Sequence, residues 1–281
     1  MTHLAWTGGG HFRKSRAVGI DYLRMNASRQ TLLVETEAER QARVDLAACH
    51  RLAARFGLLE GIDNHLTLLV PGYNDRFLLA PFGLHWSEVR ARDFLVVDFA
   101  SRILSGQGYV EDTARFIHVP VHRLAPQARC ALHTHMPYAT ALCMLENPRL
   151  EMAVQSAIGF HDDIAYEETY NGLAFDSSEG ERLARALGDK SVLMLANHGV
   201  LVVGLSAAEA FERLYFLERA CQAQVLALST GRRLRLVSEE VVRATAAQFR
   251  TGTAVGGGNR TELHFAALKR ILDRHEPDYA N

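Results

Sequence analysis

The alternation of apolar and polar positions divides the chain into short strand-like runs and longer helix-like stretches. Apolar runs bounded by Gly, Pro, Asn or Asp predict strands at 64–70, 76–80, 94–98, 103–106, 131–135, 192–195 and 200–203. Apolar residues at helical spacing predict helices over 36–56, 111–124, 139–145, 179–187, 206–228 and 262–274. Because the two types do not alternate in a strict βαβ order, we expect helices packed over a mostly antiparallel sheet.

Local signals mark the ends of several of these helices. The first helix is expected to end at Gly57, and Ser206 with Glu209 forms a capping-box pattern before the long helix. Pro120 lies inside the 111–124 stretch, where proline removes a backbone donor. A kink or a late helix start is therefore expected there.

Periodicity also divides the chain into three parts. Residues 1–35 show little pattern and are interpreted as an N-terminal arm, whereas 36–250 form the main domain. Residues 251–281 hold a Gly-rich loop and a terminal helix. Gly256, Gly257 and Gly258 do not follow a strand and open a helix, as a phosphate-binding loop does, and are interpreted as a flexible connection.

Composition limits the partners of the protein. The formal net charge is −1, which argues against a nucleic-acid surface, and no stretch approaches the roughly 18 apolar residues of a membrane span. The N-terminus has no apolar segment of signal-peptide length, so we expect a cytoplasmic protein. The four cysteines are scattered without a C-x-x-C pair and indicate buried thiols in a reducing compartment.

Three histidines in apolar surroundings are the main candidates for chemistry. His133 and His135 stand two apart in a predicted strand, so both side chains should face the same side. His198 lies at a turn between two further apolar runs. Brought together, three imidazoles would bind a divalent metal and leave room for substrate. A single histidine of this kind is more often a packed core residue, and the doublet is what favours the metal.

The motifs around these histidines resemble the class II aldolase/adducin family. The resemblance rests on Asn64 with its strand, on Leu79–Gly83, on Ala131–His135 and on Ala196–Val200, and it extends from about residue 38 to about 235. It implies an α/β fold with αβα layers around a central antiparallel sheet. It also implies a homotetramer with active sites at subunit boundaries, a small-molecule substrate, and a divalent metal held by His133, His135 and His198. Zinc is the first candidate, with manganese and iron(II) as alternatives.

Departures from the family pattern concern the substrate. The position of the acid/base Glu of the sugar-phosphate aldolases, nineteen residues before His133, holds Ala114 here. Hydroxyl residues that bind phosphate in those enzymes correspond to Asp112, Thr113 and Phe82, and a carboxylate and a ring disfavour a dianion. We therefore expect a non-phosphorylated substrate. Its expected contacts are Asn64, Phe82, Gly83, Asp112 and Thr113.

The residue that replaces the missing Glu is open. His118 lies one helical turn after Ala114 and is the first candidate for the catalytic acid/base or a fourth ligand. Glu111, Asp112 and His122 are weaker candidates because acids are common at helix N-termini. Further side chains considered for the pocket are His65, His161, Trp86, Phe116, Tyr166 and Tyr170.

Three functions are compatible with these residues. The leading hypothesis is a metal-dependent carbon–carbon lyase, an aldolase or a decarboxylase, acting on a hydroxy or oxo acid that can be aromatic. Ala114 favours decarboxylation, which needs no base to begin. The first alternative is an iron(II)-dependent oxygenase of a hydroxyphenyl acid on the same three histidines. The second is a non-catalytic, adducin-like interaction module, against which the intact triad argues.

Overall fold

Eight strands form one sheet in the part of the chain that the computed structural model describes, residues 35–147, 149–174, 176–251 and 259–281. They are β1 (His65–Leu69), β2 (Arg76–Leu79), β3 (Leu95–Asp98), β4 (Ile103–Ser105), β5 (Cys130–Thr134), β6 (Ile164–Glu167), β7 (Val192–Leu195) and β8 (Gly199–Gly204). Their order is β4-β3-β2-β1-β5-β8-β7-β6. Six neighbouring pairs are antiparallel and the pair β6 and β7 is parallel, which confirms the mostly antiparallel sheet.

Helices cover both faces of this sheet. They are α1 (Glu37–Phe56), α2 (Asp112–Leu124), α3 (Pro137–Cys143), α4 (Gln155–Ile158), α5 (Ser177–Leu187), α6 (Ala207–Leu228), α7 (Glu239–Arg250) and α8 (Arg260–His275), with short 3₁₀ turns at Ala91–Asp93 and Pro277–Ala280. The largest core cluster joins α1, α3, α6 and α8 to one face of the sheet. A second cluster joins α2 and α5 to the other face, so the expected αβα layering is confirmed.

The predicted end of α1 and the predicted start of α6 agree with the structure, whereas α3, α5 and α8 each begin two residues earlier than predicted. The Thr36 hydroxyl accepts from the Glu39 amide at 3.1 Å, and Gly57 ends α1 in the left-handed conformation. The Ser206 hydroxyl accepts from the Glu209 amide at 3.1 Å. The Glu209 carboxylate, however, accepts from the amide of Leu205 and not of Ser206, so the capping box is completed one residue earlier than in the usual motif.

Pro120 neither interrupts α2 nor delays its start. A proline has no N–H, so the carbonyl of Phe116 lacks its usual partner four residues later. Gly180 of α5 packs against that carbonyl, and a Cβ atom at this position would lie 1.9 Å from the Phe116 oxygen. The glycine therefore allows α5 to approach α2 at the point where proline removed the hydrogen bond.

The register of the central strands decides which residues share a face. His65 of β1 is opposite His133 of β5, and Thr67 is opposite Ala131. Ala131 belongs to the core cluster under α2 and α5, whereas Leu132 belongs to the cluster under α1 and α6. Since side chains alternate along a strand, His65, Thr67 and His133 all face the layer of α2 and α5.

Other predictions differ from the structure or lie outside it. Strand β6 and helices α4 and α7 were not predicted. The arm at 1–34 and the Gly-rich residues 252–258 lie outside the described residues. Within the described chain no helix is long and apolar enough to cross a membrane. Cys49, Cys130, Cys143 and Cys221 are free and buried, as expected.

Candidate metal centre

The three predicted histidines converge at one end of the central strands. The strand β5 ends at Thr134, one residue earlier than predicted, so His133 lies in the strand and His135 lies just beyond it. His198 is in the turn between β7 and β8. One ligand nitrogen from each ring lies within 4.8 Å of the others, and no further His, Cys, Asp or Glu of the described residues joins this group.

Hydrogen bonds fix the orientation of two of the rings. Nδ1 of His133 is 2.9 Å from the carbonyl oxygen of Val200, and Nδ1 of His135 is 2.7 Å from the carboxylate of Glu60. A carbonyl and a carboxylate accept only, so each Nδ1 carries the proton. Nε2 of each neutral ring is then a lone pair, and these two atoms lie 3.3 Å apart.

This donor set fits a divalent metal. Two facing lone pairs repel each other unless a cation lies between them. Ligand nitrogens at the usual Zn–N distance of 2.0–2.1 Å in a tetrahedral site are about 3.3–3.4 Å apart. A ligating histidine whose other nitrogen donates to a carboxylate is a common arrangement around zinc, and Glu60 supplies it here.

Electrostatics keep His133 and His198 available as neutral ligands. Burial lowers the pKa of His133 well below its usual value, and the nearby His198, His65 and His135 lower it further. Burial, followed by the charge of His135, lowers the pKa of His198 to about 4. Neutral imidazole is the form that binds a metal.

Asn64 holds the Glu60–His135 pair in place. Its side-chain oxygen accepts from the amides of Glu60 at 2.8 Å and His135 at 3.3 Å. Its side-chain nitrogen donates to the carbonyl of Asp63 at 3.0 Å. Asn64 therefore joins the loop before β1 to the end of β5.

Tight backbone geometry positions His198. Asn197 takes φ of 56°, a left-handed conformation that asparagine tolerates, and its amide donates to the carbonyl of Cys143 at 2.9 Å. At Gly199 a Cβ atom would lie 2.6 Å from the Thr134 oxygen and 2.8 Å from the His135 ring. The turn can approach the doublet this closely because Gly199 has no side chain.

The triad lies in the wall of a cavity of about 470 Å³. Predicted residues that line it are His65, His133, His135, His198, Asn64, Phe82, Gly83, Trp86, Glu111 and Thr113. Ala114 also lines it and is fully buried, so a methyl group stands at the position where the family resemblance implied an acid/base carboxylate. The neighbouring Glu111 is the N-cap of α2 and accepts from the amides of Thr113 and Ala114 at 3.0 and 2.6 Å.

Two of the predicted site residues lie outside the cavity wall. Asp112 is not part of the cavity wall; its side chain is 68% exposed and pairs with Arg115 at 2.9 Å. His118 is fully buried behind the wall, with one ring nitrogen bonded to His65 and the other to Thr67. The structure therefore places neither side chain where it contacts a molecule in this cavity.

The remaining candidates are dispersed. His161 pairs with Asp162 near the surface, and Phe116 lines a separate cavity on the far side of α2. Tyr170 lies 6.0 Å from His198 between ring centres. The Tyr166 hydroxyl accepts from the Leu150 amide at 3.1 Å, away from the triad.

Sequence reasoning missed Glu60 and Thr67. Glu60 precedes His135 by 75 residues, and no spacing rule connects a loop carboxylate to an imidazole at that distance. Thr67 had a weak signal, as a polar residue inside an apolar strand. With His65 it forms an alternation that places both on one face.

Fold and site together define a class of protein, an αβα protein with a three-histidine centre in a small-molecule cavity. The model of the Class II Aldolase and Adducin N-terminal domain matches residues 44–225. The chain therefore belongs to the class II aldolase/adducin family.

Individual relatives agree with this assignment. A Caulobacter vibrioides protein with the provisional name aldolase class 2 protein is 37% identical over 88% of this chain and 94% of its own. Alpha-adducin of Mus musculus is 34% identical over 84% of this chain, which spans 34% of alpha-adducin. An aldolase II superfamily structure from Pseudomonas syringae covers 88% of this chain and 97% of its own, with a TM-score of 0.80 and 34% identity. L-fuculose 1-phosphate aldolase of Glaciozyma antarctica covers 86% of this chain and 92% of its own, with a TM-score of 0.73; its 24% identity supports the fold alone.

Proposed function

We propose that this protein is a metal-dependent carbon–carbon lyase that acts on a non-phosphorylated hydroxy or oxo acid. The observation that carries the proposal is the convergence of three imidazoles on a cavity of about 470 Å³. This volume suits a small organic molecule. Membership of a family that contains aldolases supports aldolase-type lyase chemistry in general.

The three histidines would hold the metal, with zinc as the first candidate and manganese or iron(II) as alternatives. When bound, a divalent metal supplies Lewis-acid stabilisation of the negative charge that develops on substrate oxygens. Glu60 orients His135, and the Val200 carbonyl orients His133. These second contacts hold the ligands in place before the substrate enters.

The charge of the cavity wall supports a substrate without phosphate. Glu60, Asp63 and Glu111 line it, and no Lys or Arg is among the described residues that do so. Carboxylates repel a phosphate dianion more strongly than a singly charged carboxylate, and a phosphate site normally provides cationic or N–H donors. Phe82 and Trp86 add aromatic surface, which supports an aromatic acid.

Asn64, Phe82, Gly83 and Thr113 remain our proposed contacts for the substrate. The Thr113 hydroxyl donates to the Glu111 carboxylate at 2.5 Å, so its oxygen is left to accept from the substrate. Phe82 is 44% exposed at the rim, where a bound ring can stack on it. Asn64 also positions His135, because its side-chain oxygen accepts a hydrogen bond from the His135 amide.

The alanine at position 114 favours decarboxylation over aldol cleavage. A methyl group transfers no proton, whereas aldol cleavage begins when a base removes the proton of a substrate hydroxyl. In decarboxylation the carboxylate carbon leaves as carbon dioxide, and the electron pair of the broken bond stays on the substrate. The substrate carbon that carried the carboxylate then takes a proton from water.

The test is metal content followed by a product screen. The protein, purified without a His tag in air and anaerobically, is measured by elemental mass spectrometry and supplied with hydroxy and oxo acids. About one zinc or manganese per chain with release of carbon dioxide or aldehyde supports the proposal. If the protein contains iron and consumes oxygen, the oxygenase hypothesis replaces the lyase hypothesis. If it contains no metal under either condition, an adducin-like interaction module is favoured.

Assembly and location complete the proposal. We expect a homotetramer, as the family resemblance implies, and light scattering of the purified protein measures its mass directly. Four free buried thiols are consistent with a reducing cytoplasm. A monomer in solution would contradict the assembly without affecting the metal site.

A further inference from the structure

A continuous line of hydrogen bonds runs from the cavity wall through the layer between the sheet and α2. Nδ1 of His65 is 2.7 Å from Nε2 of His118, whose Nδ1 contacts the Thr67 hydroxyl. The same hydroxyl is 2.8 Å from Nε2 of His122, whose Nδ1 is 2.6 Å from the carbonyl of Ala128. His65 lines the cavity, and the other members of the chain are buried.

The donor and acceptor of every hydrogen bond in this chain follow from the bond between His122 and the Ala128 carbonyl. The Ala128 carbonyl accepts only, so Nδ1 of His122 carries a proton and Nε2 of that neutral ring is a lone pair. The Thr67 hydroxyl donates to it at 2.8 Å, since its other possible acceptor, the Ala131 carbonyl, is 3.5 Å away, and so accepts from Nδ1–H of His118. Nε2 of His118 is then a lone pair that accepts from Nδ1–H of His65. Nε2 of His65 is left as a lone pair.

Burial disfavours the charged form of all three rings. Burial lowers the pKa of His65 to about 3 and of His122 to about 4. Burial also lowers the pKa of His118 well below its usual value, and the neighbouring rings add to this effect. An additional proton, which would reverse a link, is therefore unfavourable throughout the chain.

The open end of the chain faces the metal ligands. His65 is opposite His133 in the strand pair, and their ring centres are 4.9 Å apart. Among the described residues Nε2 of His65 has no hydrogen-bond partner from the protein. A chain that served only to satisfy buried groups would not need to end on a free acceptor at a cavity.

We propose that the chain from Ala128 through His122, Thr67 and His118 locks His65 in the Nδ1–H tautomer and so presents Nε2 as a fixed acceptor that selects a substrate hydroxyl. This role of His65 rests on the proposed function, and it narrows the substrate to acids with a free hydroxyl near the carboxylate. His65 contacts the substrate, whereas His118, Thr67 and His122 are positioning residues.

Thr67 provides the matched pair of variants. Thr67→Val keeps the shape but removes the hydroxyl, so His118 can take either tautomer and His65 is no longer fixed. Thr67→Ser keeps the hydroxyl and should preserve the chain. The two variants differ in hydrogen bonding at the same buried position, which separates the proposal from a general effect on folding.

The first measurement is ¹⁵N NMR of the histidine rings in the zinc-loaded protein, which reports the protonated nitrogen of each ring. We expect His65 to be wholly Nδ1–H in the unmodified protein and in Thr67→Ser, and a mixture in Thr67→Val. A His65 protonated on Nε2 in the unmodified protein overturns the proposal, even if no variant folds.

The second measurement is calorimetric binding of mandelate and of phenylacetate, which lacks the hydroxyl. We expect mandelate to bind at least tenfold more tightly, about the effect of one hydrogen bond, and the ratio to fall below about threefold in Thr67→Val alone. An unchanged ratio, or no binding of either acid, overturns the selection of a hydroxyl. Neither measurement needs turnover, so failure of the lyase proposal remains distinguishable.

Discussion

Nε2 of His133 and Nε2 of His135 lie 3.3 Å apart, while Nδ1 of each ring is bonded to an acceptor elsewhere in the protein. The Val200 carbonyl belongs to β8 and Glu60 to the loop before β1, so two separate elements orient the pair. This pre-arrangement lowers the cost of assembling the ligands when a metal binds. It also makes the site sensitive to residues that never touch the metal.

Loss of a proposed ligand should abolish metal retention while the fold survives. In His198→Ala, whose side chain lies in a turn at the cavity wall, we expect zinc affinity to fall by more than about 100-fold, beyond the usual effect of an outer-shell change. Elemental analysis after dialysis against a competing chelator measures this, with circular dichroism as the check on folding. His161→Ala, at a surface ion pair, is the control. A full metal complement in His198→Ala would disprove the assignment.

Loss of the Glu60 carboxylate should weaken the metal site without removing a ligand. Its side chain is 68% exposed, so Glu60→Ala should leave stability nearly unchanged while zinc affinity falls about 10–100-fold. Glu60→Gln can still accept from Nδ1 of His135 and should lose less. Competition titration with a chromophoric chelator gives the affinities, and Glu168→Ala, at the exposed pair with Arg149, is the control. Equal affinities in all three variants would mean that Glu60 does not orient His135.

A methyl group at position 199 should displace His135 and so distort the three-histidine site. In Gly199→Ala the Cβ would meet the Thr134 oxygen and the His135 ring, so one of them must move. We expect a loss of about 1–3 kcal/mol in unfolding free energy, as for other overpacked sites, together with weaker metal binding. Gly159→Ala is the control because its nearest contact would be an ordinary 3.5 Å. Denaturant unfolding and metal titration test both effects, and a Gly199→Ala protein like the unmodified one would contradict the contact.

Acid should destabilise the protein through buried neutral histidines. Burial lowers the pKa of His50 to about 4, from 6.5, and its Nε2 has no hydrogen-bond partner in the described part of the chain. A depressed pKa favours the neutral ring, so its contribution is complete above pH 6.5 and is lost as the pH falls towards 4. In His50→Gln the unfolding free energy should fall less steeply between those values, by up to about 1.4 kcal/mol per pH unit.

Denaturant unfolding of the metal-free protein at several pH values measures these slopes. The exposed His85→Gln is the control and should keep the slope of the unmodified protein. An identical slope in His50→Gln would show that His50 takes up no proton on unfolding in this range.

Elements with strong local patterns were predictable. The helix α1 has an N-cap, an amphipathic face and a terminal Gly57, and β5 begins with the apolar run Cys130–Leu132 directly before His133. Strand β6 has only half-buried residues and pairs at the sheet edge, in parallel with β7 across α5. Helix α7 buries only Val242 and Ala246. These elements depend on tertiary packing, so their local signal was weak.

The candidate site likewise has residues that the sequence predicted and residues that it did not. The sequence motifs identified all three metal-ligand candidates, because these depend on residue type and local pattern, and the family resemblance pointed to Ala114 at the position of an expected carboxylate. The same reasoning assigned Asp112 to the pocket, but the side chain at the start of α2 points to Arg115 and solvent. It also chose His118 from its helical spacing, which gives the face of α2 but not what covers that face.

The sequence by itself determined the fold class, the family and the identity of the three converging imidazoles, since each follows from local pattern. Only the tertiary structure decided which partners fix those rings. Glu60 reaches His135 across 75 residues, and Thr67 lies between His118 and His122 because β1 pairs with β5 beneath α2. Hydrogen bonds act over about 3 Å, so their pattern depends on strand register and helix placement that no short stretch of sequence contains.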